Sequence, residues 1–146
     1  MATAYEIRPD LGLDPAKIPD LSDGATQKKL SPAAIKAFFS IAESWNLRDT
    51  DAMALLGGMS SSTYYQLKKK QDSVLSQDEL TRASLLIGIF KALNVLFSPK
   101  LANQWISRPN SNPMFANAPP LKVLIQRGLP GMLDVRRFLD SRRGGR

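Results

Sequence analysis

The chain has 146 residues, a formal net charge of +7, and neither cysteine nor histidine. That length supports one core, or two small modules sharing a helix. The missing residue types remove disulfides, thiolate chemistry, finger-type zinc sites and every histidine-dependent acid–base pair, so no metal or cofactor is expected.

The first residues show no basic stretch leading into an apolar run, and no apolar segment is long enough to span a bilayer. A cytoplasmic protein with no membrane partner is the expectation. Residues 1–30 carry Pro9, Pro15 and Pro19 and scattered aliphatics without a helical period, so an extended arm is predicted. Tyr5, Ile7, Leu11, Leu13, Ile18 and Leu21 give this arm apolar surface with which to pin itself across the rest of the chain or a partner. Ser31-Pro32 predicts a helix start, with serine as cap and proline at the first helical position. Ile35, Phe38, Phe39, Ala42 and Trp45 recur every three or four residues and form an apolar stripe. Thr50 is expected to cap the next helix, with Asp51 in its first turn.

From Ala52 to Leu67 the pattern reads as two short helices joined by a Gly57-Gly58 turn, the arrangement of a helix-turn-helix. Ser60 is the expected cap of the second helix, and Tyr64 and Leu67, three apart, turn inward. Ser61, Ser62, Tyr65, Gln66 and Lys69 are left facing outward, where a major groove would be read. Lys68, Lys69 and Lys70 close the helix and suit both its dipole and DNA phosphates. No arginine is available there for guanine, and Gln66 is the candidate reader of adenine. Affinity for operator DNA should therefore depend strongly on salt and on a homodimer that places two such helices about one DNA turn apart.

Ser76-Gln77-Asp78-Glu79 has the form of a capping box. The apolar set from Leu80 to Phe97 predicts a helix of about 33 Å, packed on two sides and joining the halves of the molecule. Gly88 within it predicts close approach of another helix, with an unremarkable surface glycine as the alternative. Ser98-Pro99 opens a short helix carrying Leu101, Ala102, Trp105 and Ile106, and Asn110 to Pro113 reads as loop. Pro120 starts a helix that Gly128 ends. A last helix begins near Pro130, is expected to bury Leu133, Phe138 and Leu139 or their neighbours, and runs out at Arg142-Arg143-Gly144-Gly145-Arg146. With no strand alternation, the fold class is all-α. The expected division is an arm (1–30), a helix-turn-helix domain (31–75), a connecting helix (76–98) and a small helical C-terminal domain (99–146). Charge is uneven across it: residues 76–146 hold eleven cations against four anions. A second binding surface in the C-terminal half is implied.

These motifs together resemble a known family. Trp45-Asn46-Leu47, Ala54 to Ser60, Ser62-Thr63-Tyr64-Tyr65 and Leu75 to Leu80 are similar to the Xre-type helix-turn-helix of Xre/MbcA/ParS antitoxins. Trp105-Ile106-Ser107-Arg108-Pro109-Asn110, Phe115, Pro120-Leu121, Gly128 and Val135 to Leu139 resemble that family's toxin-binding domain. The resemblance covers about residues 31–146 and implies an antitoxin that neutralises an NAD-degrading RES-domain toxin by covering its active-site cleft. Arg136, Arg137, Arg142, Arg143, Gly144, Gly145 and Arg146 become the candidate toxin-binding residues. The arginines would pair with acids at the cleft rim, or the terminal carboxylate would stand in for a phosphate while the two glycines thread the entrance.

The alternative is a helix-turn-helix transcriptional regulator whose C-terminal half dimerises and has no toxin partner. Catalysis is not expected. Asp78 and Glu79 belong to a helix cap, and no nucleophile–base pair or phosphate-cradling loop is present.

Overall fold

A computed structural model describes residues 19–144. Among them are seven helices and no strand: α1 (Gly24–Ser44), α2 (Asp49–Leu55), α3 (Ser61–Lys70), α4 (Gln77–Leu96), α5 (Pro99–Trp105), α6 (Pro120–Arg127) and α7 (Leu129–Arg143). The expected all-α fold is therefore found. Of the arm, residues 1–18 lie outside the described residues.

The first helix starts a full two turns before the expected point. Asp23 caps it by accepting the Thr26 N–H at 3.0 Å, so residues 24–30 are helical. Pro32 is carried inside α1, where it removes one helical hydrogen bond. Ser31 is not a cap. It is 1 % exposed, its hydroxyl donates to the Gln27 carbonyl at 2.6 Å, and its oxygen accepts the Leu75 N–H at 2.8 Å. That bond ties α1 to the segment leading into α4. Asn46, in the left-handed region at φ 52°, ends α1 with its N–H on Glu43 and the Leu47 N–H on Ala42. A Schellman close of this kind uses up carbonyls that would otherwise stay unpaired.

The second helix begins at Asp49 rather than after Thr50, with Arg48 in the cap position and no side-chain cap bond. Ser76, by contrast, caps α4 as expected. Its hydroxyl takes the Glu79 N–H at 3.1 Å, while Glu79 takes the Ser76 N–H at 2.9 Å.

One face of α4 packs on α1 and another on α7, which is why its apolar residues encircle so much of the helix. Ile35, Phe38, Trp45, Leu86, Ile89, Leu93, Met132 and Leu139 join one continuous hydrophobic cluster. Gly88 is buried against α7, and the close neighbour anticipated there is the guanidinium of Arg136. At Gly131 the approach is tighter in a different way: a Cβ would lie 2.6 Å from the Val123 carbonyl oxygen, so α6 and α7 meet backbone to backbone. Val95, in the apolar run of α4, and Leu133 are exposed; on α7 the neighbouring Met132, with Val135 and Leu139, supplies the buried stripe.

Candidate functional site: the recognition helix and the C-terminal face

Helices α2 and α3 meet through residues 56–60. The Gly58 N–H reaches the Met53 carbonyl and the Gly57 N–H the Ala54 carbonyl, both at 3.0 Å, with φ of +98° at Gly57 and +85° at Gly58. Two successive left-handed residues turn the chain at a backbone cost that only glycine keeps low. A side chain at Gly57 would also meet Asp78 Oδ2 at 3.1 Å and Arg82 Nε at 3.3 Å. The turn is thus wedged against the start of α4, where Arg82 pairs with Asp78 at 2.8 Å.

Ser60 caps α3 by accepting the Thr63 N–H at 3.3 Å. Tyr64 and Leu67 are buried, as their spacing required, and Ser61, Ser62, Tyr65, Gln66, Lys68, Lys69 and Lys70 are exposed. The predicted reading residues therefore share one solvent-facing side of a single helix. Two of them are already engaged. The Tyr65 hydroxyl donates to Asp49 Oδ2 at 2.9 Å, and Lys68 Nζ lies 3.2 Å from Asp49 Oδ1, which also accepts from the Tyr64 hydroxyl at 3.1 Å. Asp49 sits in the first turn of α2, so one carboxylate both suits that helix's dipole and tethers α3 to it.

These donors, the Tyr65 hydroxyl foremost, hold the Asp49 carboxyl below its ordinary range. The same carboxylate pushes the Tyr65 phenol upward, while burial first and Asp49 second do so for Tyr64. Both hydroxyls stay protonated as donors. Tyr64 further meets Phe39 of α1 at 5.6 Å and the edge of Tyr65 at 5.3 Å. The sequence reading missed Asp49, because its partners lie 15 to 19 residues downstream, beyond any helical spacing.

In the C-terminal half, Trp105, Phe115 and Phe138 form a closed aromatic triangle with centroid separations of 5.7, 5.8 and 6.4 Å. The loop before α6 supports it. Asn110 Oδ1 accepts the Asn112 N–H, and Asn112 Oδ1 accepts the Met114 N–H. A hollow of about 430 Å³ opens beside the triangle, bounded by Phe97, Asn110, Asn112, Phe138 and Arg142. Arg142 lies 5.0 Å from the Phe138 ring centroid, a cation–π contact that directs the last turn of α7 over the hollow.

The candidate arginines do not form a single patch. Arg136 lies across Gly88 and pairs with Asp140 at 3.0 Å. Arg143 reaches the same carboxylate at 3.8 Å. Arg137, Arg142, Arg143 and Gly144 are exposed, and Gly145 and Arg146 lie outside the described residues. Among the described residues no group of three or more acidic, histidine or cysteine side chains is placed to hold a metal ion, and no helix is long and apolar enough to cross a membrane.

An all-helical bundle that presents a glycine-turned helix pair with an exposed, lysine-ended second helix is a helix-turn-helix protein. Residues 27–88 match the family model described as the antitoxin Xre-like helix-turn-helix domain. The chain is also 38% identical over 115 residues to "Uncharacterized protein y4oB" of Sinorhizobium fredii (strain NBRC 101917 / NGR234), an alignment covering 78% of this chain and 87% of that relative. The chain thus shares a family with that relative and carries, over residues 27–88, a helix-turn-helix domain of the Xre-like antitoxin type.

Proposed function

We propose that this protein is a cytoplasmic, non-catalytic antitoxin with two binding surfaces. The exposed face of α3 binds operator DNA as a homodimer and represses the protein's own operon. The C-terminal half, residues 99–146, binds a RES-domain toxin and shuts its NAD-degrading site. Residues 31–75 form the DNA-facing head, and residues 76–98 connect it to the toxin-facing part. The observation that carries the reading is the solvent-facing alignment of Ser61, Ser62, Tyr65, Gln66 and the three closing lysines, within the segment that matches an antitoxin family.

Support for the toxin-facing half is chemical. Arg137, Arg142 and Arg143 are exposed on the last turns of α7, Arg142 beside a hollow with an aromatic wall, and exposed guanidinium groups are suited to bidentate contacts with carboxylates at a cleft rim. Arg136 contributes by holding α7 in place across Gly88. Gly144, Gly145 and Arg146 complete the proposed toxin-binding set.

The experiment is co-expression with the adjacent reading frame, followed by pull-down and an intracellular NAD assay. A toxic neighbour whose NAD depletion is relieved by this chain is the expected result. Deleting residues 142–146 should lower complex affinity and release NAD depletion. Unchanged neutralisation after that deletion removes the tail from the mechanism, and a harmless neighbour favours a plain transcriptional regulator.

A further inference from the structure

The helix-turn-helix half carries an apolar groove that neither binding surface uses. It runs between α1 and α4 with a volume of about 490 Å³, walled by Leu30, Ala34 and Ala37 on α1 and by Ser84 and Ile87 on α4, and it closes on Pro19. The α1 wall is a second stripe, spaced three and four residues apart, on a different side from the core stripe of Ile35, Phe38 and Ala42. Leucines and Ile87 stand along it, but Ala33, Ala34, Ala37 and Ser84 between them are short and leave room for larger side chains brought by something else.

We propose that the groove is the seat of the chain's own N-terminal arm, residues 5–18. Three features point to that occupant rather than to another protein. The arm enters the described structure at Pro19, which is itself part of the groove, so no linker is needed and residues 11–18 alone reach about 26 Å when extended, longer than the α1 wall. Second, the arm supplies side chains that fit an apolar groove with alanines along it: Tyr5, Ile7, Leu11, Leu13 and Ile18 are bulky and apolar, and each aliphatic buried against alanine contributes to holding it there. Third, Pro9 and Pro15 each have a fixed φ, which lowers the conformational entropy that docking removes. The arm is thus a built-in cover for an apolar strip on the DNA-facing half.

The cysteine-free sequence makes the test clean. In the full chain, Ala34→Cys is combined in turn with Tyr5→Cys, Ile7→Cys, Leu11→Cys, Leu13→Cys or Ile18→Cys, and disulfide formation under mild oxidation is followed by mass and by non-reducing gel. The control replaces Ala34→Cys with Lys36→Cys, an exposed position about 200° round the same helix. A docked arm holds one of these thiols within bonding range. At least one pair should therefore close within the chain about tenfold faster than its control, as expected for a raised effective concentration. Equal rates at both positions, or no closure at all, overturn the proposal. Predominant interchain disulfides overturn it as well and give the groove to a second copy. The inference does not rest on the toxin or the operator, so its failure leaves the antitoxin reading standing.

Discussion

The guanidinium of Arg136 on α7 occupies the space that a side chain at Gly88 of α4 would fill. At Gly131 the corresponding space is filled by the backbone carbonyl of Val123. The two glycines therefore predict opposite outcomes for the same substitution. In Gly88→Ala the obstacle is the end of a flexible side chain, and the gain in helix propensity of about 1 kcal/mol offsets the displaced guanidinium, leaving stability within about 1 kcal/mol of wild type. Gly131→Ala forces two backbones apart and should cost about 2 kcal/mol or more. Urea denaturation of the two variants measures the contrast, and equal midpoints would contradict it.

Ser31 supplies a second stability prediction. Its hydroxyl is the partner of the buried Leu75 N–H across 44 residues of sequence. Ser31→Ala leaves that donor without an acceptor and is expected to destabilise the fold by about 1–3 kcal/mol, with an unchanged denaturant slope. Ser31→Thr keeps the hydroxyl and should recover part of the loss.

The Asp49 cluster predicts an effect of pH on stability. Its carboxyl is held below the ordinary aspartate range, chiefly by the Tyr65 hydroxyl. A depressed folded-state pKa contributes stability that is present above about pH 4 and is lost as the pH falls through the folded value. Asp49→Asn removes that contribution, so the difference between wild type and variant should be visible in chemical denaturation at pH 7 and shrink toward pH 2. A difference that grows on acidification would show that the hydroxyl bonds do not favour the charged form.

The same substitution bears on DNA. Lys68 is paired with Asp49 at 3.2 Å, so its charge is partly neutralised in the free protein. Asp49→Asn should strengthen non-specific DNA binding and steepen its salt dependence by about one released counterion. Fluorescence anisotropy across a salt series checks the slope.

Gln66 and Lys69 separate reading from positioning. Gln66→Ala is expected to cost about 1–3 kcal/mol on operator DNA and little on unrelated duplex. Lys69→Ala should weaken both alike and lower the salt slope by about one. Neither should alter toxin capture, and a joint loss of both activities would mean that the two surfaces are one.

Much of this fold was legible because its signals are local. The capping box at Ser76, the Gly57-Gly58 turn, the Ser60 cap and the Gly128 stop each act within four or five residues, and each is where the sequence put it. Ser31-Pro32 misled for the same reason. A serine before proline satisfies the local rule for a helix start, but Asp23 caps further upstream and α1 carries the proline inside it.

By itself, then, the chain's order of residues determined the helices, the turn between α2 and α3, and which face of α3 meets solvent, since periodicity and capping are short-range properties. Only the packed molecule decided that Asp49 would tether Tyr65 and Lys68, that Ser31 would serve Leu75, and that Arg136 would lie over Gly88. Those contacts join residues from 16 to 48 positions apart. Distances of that kind carry no spacing rule, and they come into being when α1, α4 and α7 bury their apolar faces together.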